Sequence, residues 1–392
     1  HRHRRQPHPV AGRGCVIGML TNPSITPQFP LHPAVVDIEL TSRCNAKCSF
    51  CPRDQTPHQG LIDEPTFNAA LGRAVQYRDA LVELQKLQPG YFDTHDDTMW
   101  LSFCGMGEPL LHPRVVEYIG RVAQAGLRPI LNTNGALLSP RRAEELLDAG
   151  LAMVCFNVGE IDEQYEAVYD LPFERTRTNV EHFLATAGDR CIALIVLVDH
   201  RDDPDHLTSM REYWSRRGAE RFVRFGLVNR AGSLPVDEQV DAWEAYRDVA
   251  EEMLKENADA ARCWVPFLYP FIGYDGNYYL CSSDWRKEVN LGNVFEQSLV
   301  DLFDEKAEQV CGRSPICRDC THDPTNALAL TLARAGEARA TDVHSASNPT
   351  PDVLLARLEH QATCVAAMRA HMPRESMVRE PGRRRRLIPV RS

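Results

Sequence analysis

Glu39-Leu40-Thr41-Ser42-Arg43-Cys44-Asn45-Ala46-Lys47-Cys48-Ser49-Phe50-Cys51-Pro52 is the stretch around which the chain reads. Its three cysteines stand at Cx3Cx2C spacing, directly after an apolar run, Val35-Val36-Asp37-Ile38-Glu39-Leu40, that reads as a β-strand. A loop leaving a strand end can wrap three thiolates around one soft metal centre, and thiolates favour iron–sulfur clusters, Cu(I) or zinc. Structural zinc sites take four ligands, usually in CxxC pairs, and fit three cysteines less well. On an iron–sulfur cube, three cysteine ligands would leave one iron open to an outside ligand.

From Val35 onward, short apolar strands alternate with amphipathic helical stretches, the βαβα pattern of a parallel sheet. Strands are expected at Val35–Leu40, Met99–Phe103, Pro129–Asn132, Ala152–Asn157, Ile192–Val198 and Arg221–Val228. Helices are expected at Pro65–Leu87, Arg114–Ala125 and Pro140–Asp148, the last stopped by Gly150. Six βα units with right-handed crossovers curl into an open, partial (β/α)6 TIM-like barrel rather than the closed eight-stranded one. Such a fold gathers its chemistry at the C-terminal strand ends, where Cys44, Cys48 and Cys51 fall.

The expected organisation has five parts: an irregular arm over 1–33, the partial barrel over 34–235, a connecting helix within 236–260, a small cysteine-bearing module over 261–321, and a helical extension with a basic tail over 322–392. The connecting helix is placed at Asp237–Asn257, and the module's hairpin at Phe271–Leu280 with Asp275-Gly276 as its turn. The extension is expected to hold helices at Ala327–Ala335 and Asp352–His371, joined by a linker over Ser345–Pro351. In the module, Cys263 and Cys281 lie eighteen apart and Cys317 and Cys320 form a CxxC. Four thiolates can fully ligate a [4Fe–4S] cluster or a zinc ion. Cys311 is left over as a spare buried thiol, with an exchange against Cys317 open; Cys15, Cys104, Cys155, Cys191 and Cys364 read as small hydrophobes.

At 392 residues, 43% hydrophobic and 25% charged, the chain has the make-up of a soluble globular protein of about two domains. No apolar run approaches the roughly 18 residues that span a bilayer, and no apolar segment follows the arginines of His1–Gly14 to make a secretory signal. Cysteines grouped as CxxC in a long, enzyme-like sequence point to metal binding in a reducing cytoplasm rather than to disulfides. The net charge of −10 argues against nucleic-acid binding, and Arg383-Arg384-Arg385-Arg386 reads as a solvated tail.

With Phe50 directly before Cys51, the Cx3Cx2C run resembles the signature of the radical S-adenosylmethionine (radical SAM) enzymes. That resemblance implies the six-stranded partial barrel, and a [4Fe–4S] cluster on Cys44, Cys48 and Cys51 whose fourth iron is chelated by SAM. Cys104-Gly105-Met106-Gly107-Glu108-Pro109, after the second strand, resembles the family's Gly-Gly-Glu-Pro motif. Gly105 and Gly107 would let the backbone approach the cofactor, and Glu108 would accept from its ammonium group. By the same resemblance Phe50 lies against the adenine and Asn157 near the ribose. Asn132-Thr133-Asn134-Gly135 is similar to the family's Thr-Asn-Gly at the third strand end, which brings Asn132 to the cofactor. The second cysteine set, with Gly276 five residues before Cys281, resembles the twitch module, the shortened relative of the SPASM domain. It implies one auxiliary [4Fe–4S] cluster on Cys263, Cys281, Cys317 and Cys320, hence two clusters in all.

The resemblance further implies that an external donor such as flavodoxin or ferredoxin reduces the first cluster, SAM is split, and the resulting 5′-deoxyadenosyl radical takes a hydrogen atom from substrate. A fully ligated auxiliary cluster has no iron for substrate, so electron acceptance is its natural use. The leading expectation is dehydrogenation of a small polar natural-product intermediate such as an aminocyclitol or sugar. Three other readings stay open: a modifier of ribosomal peptides, an epimerase returning hydrogen from Cys155 or Cys104, and a non-catalytic zinc or iron–sulfur protein. For the peptide reading, the residues before the barrel are too few to fold a leader-recognition domain with its own core. Arg224, Asn229, Arg230 and His200 flank the ends of strands five and six as acid–base candidates, none of them singled out.

Overall fold

Parity along the first strand sorts the molecule into two cores. Val36, Ile38 and Leu40 pack outward among helix residues, whereas Val35 packs with Trp100, Ile130, Met153, Cys155, Leu194, Val196 and Val223 on the inner face of the barrel. The structure is a computed structural model that describes residues 35–87, 99–200, 203–226, 245–255, 258–312, 314–337 and 350–372. The N-terminal arm, Asn229, Arg230, residues 237–244 of the connecting helix and the tail arginines lie outside the described residues.

The barrel elements run β1 (Val35–Ile38), α1 (Glu64–Leu87), β2 (Trp100–Phe103), α2 (Val115–Gln124), β3 (Arg128–Thr133), α3 (Pro140–Asp148), β4 (Met153–Asn157), α4 (Asp162–Tyr169), α5 (Phe173–Ala187), β5 (Ile192–Asp199), α6 (Pro204–Ser215) and β6 (Phe222–Gly226). All six strands are parallel and neighbours in chain order, as the βα reading expects. Three helices of the barrel had no counterpart in the sequence reading. Two of them, α4 and α5, fill the single crossover between β4 and β5, and the other is α6, capped by the Asp203 carboxylate, which accepts from Asp205 N and His206 N. The first strand ends at Ile38 rather than Leu40.

The rest of the chain adds α7 (Arg247–Lys255), α8 (Val265–Leu268), β7 (Phe271–Ile272), β8 (Asn277–Tyr279), β9 (Asn290–Asn293), α9 (Phe303–Cys311), α10 (Pro324–Glu337) and α11 (Pro351–His371). The expected hairpin is β7–β8, with Gly276 N closing its turn on Gly273 O at 2.9 Å. Its docking was not foreseen. β7 pairs in parallel with β1, matching Asp37 with Phe271 and Ile38 with Ile272, and β8 and β9 follow antiparallel. One nine-stranded sheet, ordered β6-β5-β4-β3-β2-β1-β7-β8-β9, therefore runs through both cysteine-bearing regions. Ala250 and Leu254 of α7, Leu328, Ala329 and Ala333 of α10, and Leu354 and Leu358 of α11 form a separate small apolar core. Among the described residues, no helix is long and apolar enough to cross a membrane.

Just past the end of β1, a fully buried ion pair ties it to the loop between β8 and β9. Lys287 Nζ lies 2.5 Å from Glu39 Oε2, and the two side chains are 2% and 1% exposed. The ammonium also sits over the rings of Tyr274 and Tyr279, 4.8 and 4.6 Å from their centroids. The other Glu39 oxygen accepts from Met106 N at 3.0 Å. A second buried acid, Asp37, bonds Ser102 inside the barrel, and burial pushes its carboxyl up to about 7.

Two outcomes follow from these buried charges. Glu39→Ala strands the Lys287 ammonium and should cost about 3–5 kcal/mol, whereas Glu39→Leu with Lys287→Met should recover most of it; thermal melting of the single and double variants checks this, and equal melting of Glu39→Ala and wild type would refute it. For Asp37, the folded carboxyl titrates above its unfolded value of 3.8, so its contribution is full below that value and is lost as pH rises through about 7. Asp37→Asn should accordingly melt several degrees above wild type at pH 8, with the difference closing toward pH 4.

Candidate active site and metal centres

The cysteine loop is held at its base and at its crown. At the base, Thr41 Oγ1 donates to Gly60 O at 2.8 Å, Gly60 N donates to Ser42 Oγ at 2.9 Å, and Ile62 N donates to Leu40 O at 2.9 Å. At the crown, Lys47 N and Ser49 N donate to Tyr169 O and Val168 O, the open carbonyls at the end of α4. Cys44, Cys48 and Cys51 are half-buried within it. Burial pushes the Cys44 thiol up to about 11 and Cys48 higher still, and charge on the neighbouring cysteines adds to both. Among the described residues no three His, Cys, Asp or Glu side chains converge on a single-ion site. Thiols raised as those of Cys44 and Cys48 are suit a soft metal cluster better than the role of free nucleophile.

The turn after β2 packs directly on this loop. A Cβ at Gly107 would lie 2.1 Å from Thr41 O and 2.5 Å from Arg43 O, and one at Gly105 would lie 2.6 Å from Glu39 Cγ. Both glycines thus serve the fit between turn and loop. Glu108 N donates to Arg43 O at 2.9 Å. Its side chain is 2% exposed; Oε1 accepts from Leu110 N and Thr133 Oγ1, and Oε2 from Asn134 N. Burial still pushes the carboxyl up to about 7. Three donors leave about one of a carboxylate's four acceptor positions free. Asn134 Nδ2 reaches back to Asn45 Oδ1 at 2.9 Å, so β2, β3 and the cysteine loop close into one network.

The other expected positions are less tightly gathered. Phe50 meets Tyr169 edge-on at 5.7 Å and stacks on the His200 ring at 5.9 Å. Asn157 Nδ2 donates to Thr133 O at 3.4 Å, while Asn132 Nδ2 turns to Ser102 Oγ at 3.0 Å, beneath the turn. Cys155 is wholly buried on the inner barrel face, pushed up to about 12, and Cys104 is half-buried just past β2. Sequence reasoning missed Glu160, three residues past β4. It is 1% exposed, and its Oε1 receives His200 Nε2 at 2.6 Å and His206 Nε2 at 3.1 Å. A lone Glu in a loop carries no periodic signal, so only the fold could show that it is buried.

Cys263, Cys281, Cys317 and Cys320 come together. Burial is the largest effect on the first three: it pushes Cys281 and Cys317 up to about 12 and Cys263 well above the usual thiol range, and charge on Cys320 adds to each. Backbone groups support the set: Cys317 N donates to Ser314 O, Cys320 N to Cys317 O, and His322 N to Cys320 Sγ at 3.4 Å. Asn326 Nδ2 fixes Cys320 O at 3.0 Å. Four thiols, Cys320 buried and the other three half-buried, form a donor set that fits a fully ligated iron–sulfur cluster. Cys311 corrects the expectation of a buried spare thiol, since it is exposed at the end of α9.

Comparison with known proteins agrees with this layout. The radical SAM superfamily model matches residues 38–212, and the SPASM iron–sulfur cluster-binding domain model matches 263–321. The S-adenosyl-L-methionine-dependent 2-deoxy-scyllo-inosamine dehydrogenase of Niallia circulans is 22% identical over 302 residues, covering 74% of this chain and 93% of that protein. A PqqA peptide cyclase of Granulibacter bethesdensis is 26% identical over 225 residues, covering 55% of each. Across the curated relatives, the matched share of their own length runs from 29% to 96%. The solved structure of native anSMEcpe with bound AdoMet has a TM-score of 0.51 at 13% identity, covering 84% of this chain and 99% of that one, which shows the shared fold. The two family models imply S-adenosylmethionine and [4Fe–4S] clusters as cofactors, and the chain carries a radical SAM domain followed by a C-terminal SPASM iron–sulfur module, the make-up of a radical SAM enzyme.

Proposed function

We propose that the chain is a radical SAM dehydrogenase of a small polar substrate, with Cys44, Cys48 and Cys51 holding the SAM-binding [4Fe–4S] cluster and Cys263, Cys281, Cys317 and Cys320 an electron-accepting auxiliary one. The observation that carries this reading is the second thiol set: four cysteines would leave no open position for substrate, and Cys263 and Cys281 flank the β7–β8 hairpin, which joins the barrel sheet beside β1. The relative named as a 2-deoxy-scyllo-inosamine dehydrogenase, matched over 93% of its length, supports it. When bound and reduced, the first cluster with SAM supplies a hydrogen-abstracting radical.

The protein's part is binding and enclosure. Glu108 offers its remaining acceptor position to the cofactor's ammonium, and Gly105 and Gly107 keep that turn flush with the cysteine loop. Phe50, braced by Tyr169 and His200, presents a ring for adenine, and Asn157 and Asn132 give polar groups at the ends of β4 and β3. Val35, Trp100, Ile130 and Met153 make an apolar barrel floor that keeps water from below. His200, oriented by Glu160, is the best-placed proton acceptor at these strand ends. A cytoplasmic flavodoxin or ferredoxin would deliver the electron to the first cluster.

Peptide modification is the second reading, favoured by the relatives named as PqqA peptide cyclases. Anaerobic reconstitution separates the possibilities. The full chain should take up about eight irons, cleave SAM under reductant, and form 5′-deoxyadenosine and oxidised product one to one. Alanine at Cys263, Cys281, Cys317 and Cys320 should lower the iron to about four and abolish product while SAM cleavage persists. Deuterium passing into 5′-deoxyadenosine from a peptide, and from no sugar or aminocyclitol, would decide for the second reading; a chain holding zinc alone would exclude both.

A further inference from the structure

Lys306, on the second turn of α9, is 1% exposed, and its Nζ donates to Pro266 O at 2.8 Å. No carboxylate pairs with it among the described residues. Around it Phe303 and Phe267 meet edge-on at 5.8 Å, with Tyr77 against Phe303 on the far side. An ammonium so enclosed, with one carbonyl partner, is costly, and in the bare protein burial drives the amine down to about 7. Pro266 lies three residues after Cys263, so Lys306 ties α9 to the short helix that follows that thiol.

We propose that Lys306 is the counter-cation of the auxiliary cluster and raises its reduction potential, making it a better electron acceptor. The inference rests on the reading of Cys263, Cys281, Cys317 and Cys320 as the cluster's ligands. Four thiolates give a [4Fe–4S] cluster net negative charge, and reduction adds one electron more. A fixed cation in a low-dielectric interior therefore stabilises the reduced level more than the oxidised one. In the proposed reaction the substrate carbon gives a hydrogen atom to the 5′-deoxyadenosyl radical and its hydroxyl gives a proton to a base. The remaining electron enters the auxiliary cluster, which falls by one oxidation level, and the carbinol becomes a ketone. The same negative charge would in turn keep Lys306 protonated, so the cost of burying each is offset by the other.

The test is a redox titration of the auxiliary cluster alone, in the full chain with Cys44, Cys48 and Cys51 replaced by alanine. Against that background Lys306→Met should lower the one-electron equilibrium for reduction about tenfold, ~59 mV. Lys306→Gln, which keeps a donor for Pro266 O, should do the same, and Lys306→Arg should stay near the parent. Met and Gln variants that keep the parent's iron and midpoint overturn the proposal. So does loss of iron in all three variants, Arg included, since that would assign Lys306 a packing role only. If the parent itself holds no iron at the four cysteines, the ligand assignment fails instead, and the iron count tells the two failures apart.

Discussion

The ion pair of Glu39 with Lys287 is the constraint on which the rest is hung. Two charges at 2% exposure or less are expensive to remove from water, and a buried pair is tolerated only where further hydrogen bonds complete it. Here Met106 N completes one carboxylate oxygen, Tyr274 N approaches the other, and tyrosine rings face the ammonium. Lys287 holds a φ of 58°, unusual for a side chain of its size, so the pair also carries local backbone strain. Each partner of Glu39 belongs to a different functional stretch: Met106 to the glycine-rich turn, Tyr274 to the hairpin, Lys287 to the loop that follows Cys281. Moving any of them uncovers a buried charge.

Around that pair the barrel mouth is rich in buried acids. Asp37, Glu39, Glu108 and Glu160 are all buried on or just past strand ends, yet among the described residues only Glu39 has a lysine. Glu160 relies on two histidines, and burial holds Asp37 and Glu108 near 7. A ligand carrying its own positive charge would suit such buried acids, and S-adenosylmethionine brings both a sulfonium and an ammonium. Near the second thiol set the buried Lys306 bonds Pro266 O, on the helix that follows Cys263. Under the proposed assignment the two centres would receive different partners: a cationic cofactor at one, an anionic cluster with a counter-ion at the other.

Much of this was legible before the fold. Cx3Cx2C after an apolar strand, a glycine–glutamate turn one βα unit later, and a distant CxxC are local patterns, and they pointed to the radical SAM domain and the SPASM module that the family models match. The six strands showed themselves because buried parallel strands are continuous apolar runs. What escaped was non-local. Strands β7 and β9 are two and four residues long, too short for periodicity to register their pairing with β1 and β8. Helices α4 and α5 were lost between strands whose spacing alone gave no break. Glu39, Lys287, Glu160 and Lys306 read as ordinary charged residues, because burial of a charge is decided by what packs over it. Cys311 was misjudged for the same reason, as its helix turns it outward.

Strand parity ties these observations together. The cysteine loop, the glycine-rich turn and the hairpin leave β1, β2 and β7, three adjacent strands of one sheet, so their relative heights follow from register alone. Val35 and Asp37 face the barrel interior, and Val36 and Ile38 face the helices. A one-residue slip of β1 would reverse this, placing a carboxylate among the outer helices and lifting Glu39 away from Met106. The outer core forbids it: Val36 and Ile38 are fully buried there, and exchanging either for Asp37 would forfeit apolar burial while adding an unpaired acid. Hydrophobic pattern on one face of a four-residue strand therefore sets the positions of polar groups on three loops, and the chemistry at the barrel mouth depends on contacts made beneath it.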